Sequence, residues 1–304
     1  MPDTAPHDLK ILLDTDIGSD VDDAMALSVL LGSPTVQLLG VTTVYGDTVL
    51  RARLAKRYAS LASTALTVVP GNGKPRSGRQ VWWPGHEGSL HPNLDAEPID
   101  IQETAAAFLT RTAAATPGEV DVVAIGPLTN IADAIDADSD FSRNVRRLSI
   151  MGGDFGQPEP EHNLRSDAAA AAVVFGSGIP ITIVGVDVTR QLKVGGTLQA
   201  RIATAGPLGT ALARDIAQWL EMWGTSWSIP HDPIIALAVT DPQLYTLSQP
   251  GWVTITRSGD EEGQSTFTPN PDGNVRVVTD LQQEQILDTI VSRIEHAAAR
   301  PPLR

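Results

Sequence analysis

Residues 12–27 read LLDTDIGSDVDDAMAL, an apolar run that turns acidic where it stops and then becomes apolar again. Ile11, Leu12 and Leu13 read as a buried strand, Gly18 and Ser19 break the chain, and Ala24, Met25, Ala26, Leu27, Val29 and Leu30 read as a helix. The segment is strand, acidic loop, helix. Asp14, Asp16, Asp20, Asp22 and Asp23 crowd into ten residues, where mutual repulsion would be costly without a cation. A hard, oxygen-seeking ion such as Ca²⁺ or Mg²⁺ suits such a set. Helix capping accounts for Asp20 or Asp22, but it leaves Asp14 and Asp16 at the strand's end unexplained. An EF-hand loop does not fit, because the twelfth position counted from Asp14 is Met25 rather than Glu.

The same alternation runs outward from this stretch. VQLLGVTTVYGD is a β-rich run ending at Asp47, and residues 49–61 carry helical spacing. ALTVVPGNGKP is a short strand entering a turn. Residues 71–100, rich in Gly, Pro, His and Trp, read as a long loop of the kind that is functional or mobile. Residues 101–115 are helical, VDVVAIGPLTN is strand then turn, and residues 130–137 are helical. RLSIMGGDFG is strand then loop, residues 166–175 form an Ala-rich helix, and IPITIVGVDVT is a strand.

Residues 208–238 read as largely helical, residues 252–267 and 274–278 as late antiparallel strands, and residues 281–299 as a closing amphipathic helix before a Pro-Pro tail. The expectation is an α/β fold. A single domain over residues 1–304 holds an open, mainly parallel sheet with helices on both faces and a few late antiparallel strands. Asp14, Asp16, Asp47, Gly126 and the 152–154 segment each fall at the C-terminal end of a strand, where open α/β sheets bind ligands.

A net charge of −14, from 22 basic and 36 acidic residues, argues against nucleic acid or an anionic membrane as partner. It leaves a small neutral or cationic substrate open. Zero cysteines exclude disulfides, thiolate nucleophiles and Cys-bound zinc. MPDTAPHDLK lacks the regions of a signal peptide, and no stretch approaches 18 uninterrupted apolar residues. A cytoplasmic location is expected.

DTDIGSDVDDAMAL, with GPLTN at 126–130, EHN at 161–163 and HDP at 231–233, resembles the inosine–uridine-preferring nucleoside hydrolases. These are calcium-dependent enzymes that split a nucleoside into ribose and free base, for salvage of purines and pyrimidines. The resemblance covers residues 10 to about 290. It implies that Asp16 binds Ca²⁺ and acts as general base on the metal-bound water. Asp23, Asp232 and the main-chain carbonyl of Ile125 are the further implied ligands. Asp22 matches a ribose-binding acid, although the spacing of this DTDIGSDVDD form leaves Asp20 or Asp22 for that contact. Glu161 and Asn163 match residues that grip the sugar, and His231 stands where some members place the general acid for the leaving base. Asp47 replaces a frequent Asn near the sugar. Pro84-Gly85 aligns with a usual His-Gly, so that His contact is missing or supplied by His86. The likeness also implies a homodimer or homotetramer.

An acid-rich pocket suits this chemistry, since positive charge grows on the ribose in an oxocarbenium-like transition state. His231 could protonate a purine, orient Asp232 or cap the following helix. His86 and His91 are loop histidines, commonly solvated. Trp82 and Trp83 lie in the long loop, where a lid over the base would need them, and Trp83 is the loop's candidate for base contact. Trp219, Trp223 and Trp227 recur every fourth residue as one helical stripe, a pattern of cores and subunit interfaces as well as of ligand platforms. Trp223 is its candidate for substrate. Asn130, Asp154 and Arg165 read as structural.

Two other functions compete. A Mg²⁺-dependent phosphatase forming an aspartyl-phosphate also opens on a strand and DxD, with Lys193 and Asp187 as its loose further candidates. A non-catalytic ribose or nucleoside binder would keep the pocket, though loss of catalysis would be expected to erase Asp16 first.

Overall fold

Each apolar run of the first two-thirds becomes a strand: β1 (Leu9–Thr15), β2 (Val36–Thr43), β3 (Val68–Pro70), β4 (Val120–Ala124), β5 (Val145–Met151) and β6 (Ile181–Val184). In this computed structural model, which describes residues 9–99 and 101–301, they lie parallel in the order β3-β2-β1-β4-β5-β6. Of the ten opening residues on which the signal-peptide expectation rests, residues 1–8 fall outside the described set. Every residue of β4 and all but the first two of β1 are buried, as expected of strands covered by helices on both faces.

β7 (Val194–Gly195) and β8 (Trp227–Ser228) form a separate antiparallel pair. The late strands β9 (Tyr245–Leu247), β10 (Gly251–Ile255), β11 (Ser265–Pro269) and β12 (Val275–Leu281) extend the sheet past β6. β10 is antiparallel to β11 and β12, and β9 to β12. β12 itself runs parallel to β6, so only part of this region is antiparallel.

The helix Asp22–Gly32 is buried along all eleven residues. That is why its sequence is apolar all round instead of striped. It lies against the helices His231–Thr240 and Gln283–Ala298 on one face of the sheet. Helices Ala105–Ala115, Thr129–Ala137 and Ala168–Phe175 pack on the other.

Three expected helices differ in their limits. The one expected from residue 101 starts at Ala105, where the Thr104 hydroxyl accepts the Ala107 N–H at 3.2 Å and fixes the start. The one expected at 166–175 is two, His162–Ser166 and Ala168–Phe175, divided at Asp167, whose side chain caps the second. The run expected at 208–238 is broken. Helix Gly206–Trp223 stops at Gly224, which adopts φ +63°, a left-handed conformation that glycine takes without steric cost. Trp227 therefore lies in β8 with the Lys193 ammonium 4.0 Å above its ring, outside the stripe of Trp219 and Trp223. Residues 71–99 hold only a short 3₁₀ turn, Leu94–Ala96.

The chain leaves β1 for β2 on one side, and β4 later pairs with its other side. This reversal opens a crevice beyond the C-terminal ends of β1 and β4. The acidic loop follows β1, and the Ile125 N–H donates to the Asp14 carbonyl at 2.9 Å, joining the two strand ends there.

Candidate active site

The acidic loop is braced from behind by a residue the sequence reading passed over. Arg51, on helix Thr48–Leu61, is completely buried. Its guanidinium donates to the carbonyls of Asp16, Ile17 (2.8 Å) and Tyr45 (2.6 Å) and to the Ser19 hydroxyl (3.1 Å). Ser19 in turn donates to buried Glu87 of the long loop at 3.0 Å. Arg51→Met would leave three carbonyls without this donor. It is expected to lower unfolding free energy by roughly 3–9 kcal/mol, at about 1–3 kcal/mol for each of the three carbonyls left bare, as read by urea denaturation.

Asp16 and its neighbours face an open cleft of about 510 Å³. Asp16, Asp20, Asp22, Asp23, Ile125, Glu161, Asn163, Trp223, His231 and Asp232 all line it. Ten sequence candidates thus converge from the loop after β1, the end of β4, the EHN segment and two later helices. Asp16 Oδ1 would sit 2.8 Å from a Cβ at position 126, so Gly126 is needed for this close approach. The Asp232 N–H donates to Asp22 at 3.2 Å. Carboxylate oxygens of Asp22, Asp23 and Asp232 lie within 4.8 Å of one another. Asp16, assigned with Asp23 and Asp232 by sequence, shares the cleft but stands outside that tight triad.

Glu161 caps helix His162–Ser166 and accepts the N–H groups of Gly153 (2.9 Å), Asn163 (2.9 Å) and Leu164 (3.2 Å). The Asn163 amide donates to the carbonyls of Ile125 (3.1 Å) and Met151 (3.2 Å), tying β4 to β5. Asn130 donates to Asp14 at 2.7 Å and to the Thr43 carbonyl at 3.0 Å, and accepts the Asn72 N–H at 2.8 Å. It braces the strand ends instead of meeting a ligand.

Burial dominates the electrostatics. It pushes Asp22, Asp23 and Asp232 well above the ordinary carboxylate range, and their neighbours' charges push them further. Asp16 is raised by burial and pulled partly back by Arg51 and His162. Asp14 reaches about 7, through burial opposed by its bonds to Asn130 and Thr42. Among the described residues no Lys or Arg forms an ion pair with Asp16, Asp22, Asp23 or Asp232. A converging, oxygen-only, unneutralised donor set fits a hard divalent cation. His231 moves the other way, to about 4, through burial and the nearby Arg190 charge. Its Nδ1 lies 2.6 Å from the Thr189 hydroxyl.

Three candidates fall outside the cleft. Asp47 is exposed and caps helix Thr48–Leu61 by accepting the Leu50 N–H at 3.0 Å. The Trp83 ring is held behind the acidic loop, with the Arg51 guanidinium 4.9 Å from its centroid and Gly46 against its edge. His86 Nε2 meets the Ser19 carbonyl at 2.8 Å, and its ring rests near Trp219. Trp82, Trp83's neighbour, reaches the cleft instead, with His162, Trp219 and Arg190. Trp82 stands edge-on to His162 at 5.7 Å and Trp223 to Trp219 at 5.5 Å. The loop's WW pair pointed to this wall without saying which ring faces in. His162 lay inside the quoted EHN, and nothing in the local pattern marked Arg190. The phosphatase reading loses its partners, because Lys193 is held over Trp227 and Asp187 accepts the Phe155 N–H at 3.1 Å.

The family model described as inosine-uridine preferring nucleoside hydrolase matches residues 11–288. A probable uridine nucleosidase 2 of Arabidopsis thaliana is 33% identical over 280 residues, covering 86% of each chain. A pyrimidine-specific ribonucleoside hydrolase, RihA, of Citrobacter koseri is 28% identical and covers 96% of this chain and 99% of its own. Among solved structures, a plant nucleoside hydrolase, the PpNRh1 enzyme, superposes with a TM-score of 0.84 at 26% identity, covering 94% of this chain and 99% of its own.

Proposed function

Because this chain belongs to the inosine-uridine preferring nucleoside hydrolase family, we propose that it cleaves the N-glycosidic bond of ribonucleosides at the cleft beyond β1 and β4, releasing ribose and free base with Ca²⁺ as cofactor. The observation that carries this reading is the meeting of Asp16, Asp22 and Asp23 with Asp232, which comes from a helix 210 residues beyond Asp22.

Asp22, Asp23 and Asp232 would hold the ion, with the Ile125 carbonyl and Asp16 beside them. When bound, the ion supplies positive charge that acidifies a coordinated water and anchors ribose hydroxyls. Asp16 takes the proton of the attacking water. The Arg51 contact to the Asp16 carbonyl fixes the main chain that carries this carboxylate, and the absence of a side chain at Gly126 leaves it room. The remaining acids stabilise positive charge developing on the ribose more than they stabilise the neutral substrate. Asp20 supports that field from the helix start.

Asn163 orients the Ile125 carbonyl and, with Glu161, faces the sugar. Trp82, Trp219, Trp223 and His162 wall the space for the base, which can stack there. His231, neutral near pH 7, serves as a hydrogen-bonding partner tuned by Thr189 and not as a ready proton source. A calcium-supplemented screen of uridine, cytidine, inosine, adenosine and guanosine, read as free ribose, tests the assignment. Turnover on at least one nucleoside, with base and ribose in equal amounts, is expected. Silence on all five would withdraw it.

A further inference from the structure

Breaking the bond from C1′ to the base nitrogen drives its electron pair onto the base while positive charge grows on the ribose. The acids of the cleft answer the second charge and oppose the first. Among the described residues that line that cleft, the one Lys or Arg is Arg190. It follows the short helix Val186–Thr189, immediately after the residue that holds His231. Its guanidinium donates to Asp154 at 3.3 Å, and the Arg190 side chain is 56% exposed while that of Asp154 is 2% exposed. Asp154 is itself fixed, accepting the N–H groups of Gly156 (3.1 Å) and Gln157 (2.8 Å). The contact engages one of five guanidinium N–H groups, so the cation is held at one corner in a side chain that lines the cleft and stays largely exposed.

We propose that Arg190 is a catalytic residue that meets the leaving base, and that it favours nucleosides whose base departs with negative charge on a ring carbonyl oxygen, the 2-oxo group of uridine being the type. The proposal rests on the hydrolase reading above. The C1′–N1 bond breaks heterolytically, and its pair spreads over N1 and O2, where the guanidinium meets it. Water oxygen bonds to C1′ and its proton goes to Asp16. The departed base then takes a proton from solvent, and Asp16 returns its own.

The test compares kcat/KM for uridine, 5-fluorouridine and 4-nitrophenyl riboside in the calcium-loaded wild type, Arg190→Met and Arg190→Lys. Arg190→Met is expected to lose on the order of 10²-fold on uridine, less on the more acidic 5-fluorouracil leaving group, and under about threefold on 4-nitrophenyl riboside. Arg190→Lys should recover part of the uridine loss. An equal loss on all three substrates, or a loss on uridine under about threefold, would overturn the proposal. Wild type active with a flat variant profile condemns only the Arg190 role, whereas wild type inactive on every substrate condemns the hydrolase reading and this role together.

Discussion

Asp16→Asn is expected to lower kcat for nucleoside hydrolysis by roughly 10²–10⁴-fold, the range of general-base assistance, while leaving the metal-free protein as stable as wild type or more so. The two effects have one origin. Asp16 is buried, and its charge raises Asp14, Asp20, Asp22, Asp23 and Asp232 together. Asn keeps the shape and removes the charge, so repulsion within the cluster falls as the proton acceptor disappears. Steady-state kinetics on the best substrate and thermal melts in chelator check both arms. A kcat within about threefold of wild type would remove Asp16 from the role of base. A large loss of stability would instead mean that Asp16 is a structural residue.

The metal-free protein should lose stability as pH rises from about 4 to 7, against the usual trend of a maximum between about pH 5 and 8. The sign follows from protons bound. Burial raises these carboxyl groups in the folded chain above their ordinary value of 3.8. The folded state therefore holds more protons than the unfolded state across this window, and stability is present below pH 4 and lost as pH climbs. Asp14 alone, moving from 3.8 to about 7, accounts for something on the order of 4 kcal/mol at about 1.4 kcal/mol per pH unit. Ca²⁺ competes with those protons, so its stabilisation should grow over the same window. Melts at pH 5.5 and 8 with chelator or with millimolar Ca²⁺ read this directly. A chelated protein that gains stability toward pH 8 would mean that neighbouring cations already neutralise the acids.

Much of this was legible in the chain because the informative signals are local. LLDTDIGSDVDDAMAL gave strand, loop and helix in sequence order, and apolar runs placed the parallel strands. EHN and HDP named segments that line the cleft beside the acidic loop, and GPLTN marked the strand end whose Ile125 reaches it. What stayed hidden depends on tertiary direction. Trp82 and Trp83 are adjacent, and only the packing of Arg51 under Trp83 decides which ring turns inward. Asp47, expected at a strand's end, lies past the turn that follows β2 and caps its own helix. Gly224 carries a stop signal that the four-residue spacing of tryptophans overrode in the reading of that helix. Arg51 and Arg190 draw their roles from groups that folding brings to them, the Asp16 and Ile17 carbonyls for Arg51 and the Asp154 carboxylate for Arg190.

The central claim is that acids distant in the chain share one divalent ion, and calorimetric titration of Ca²⁺ into chelator-treated protein tests it most directly. One ion per chain should bind with proton release at pH 7, and Asp232→Asn should abolish or greatly weaken that binding while helix content stays the same. Binding that is absent, or that persists unchanged in Asp232→Asn, would contradict the account.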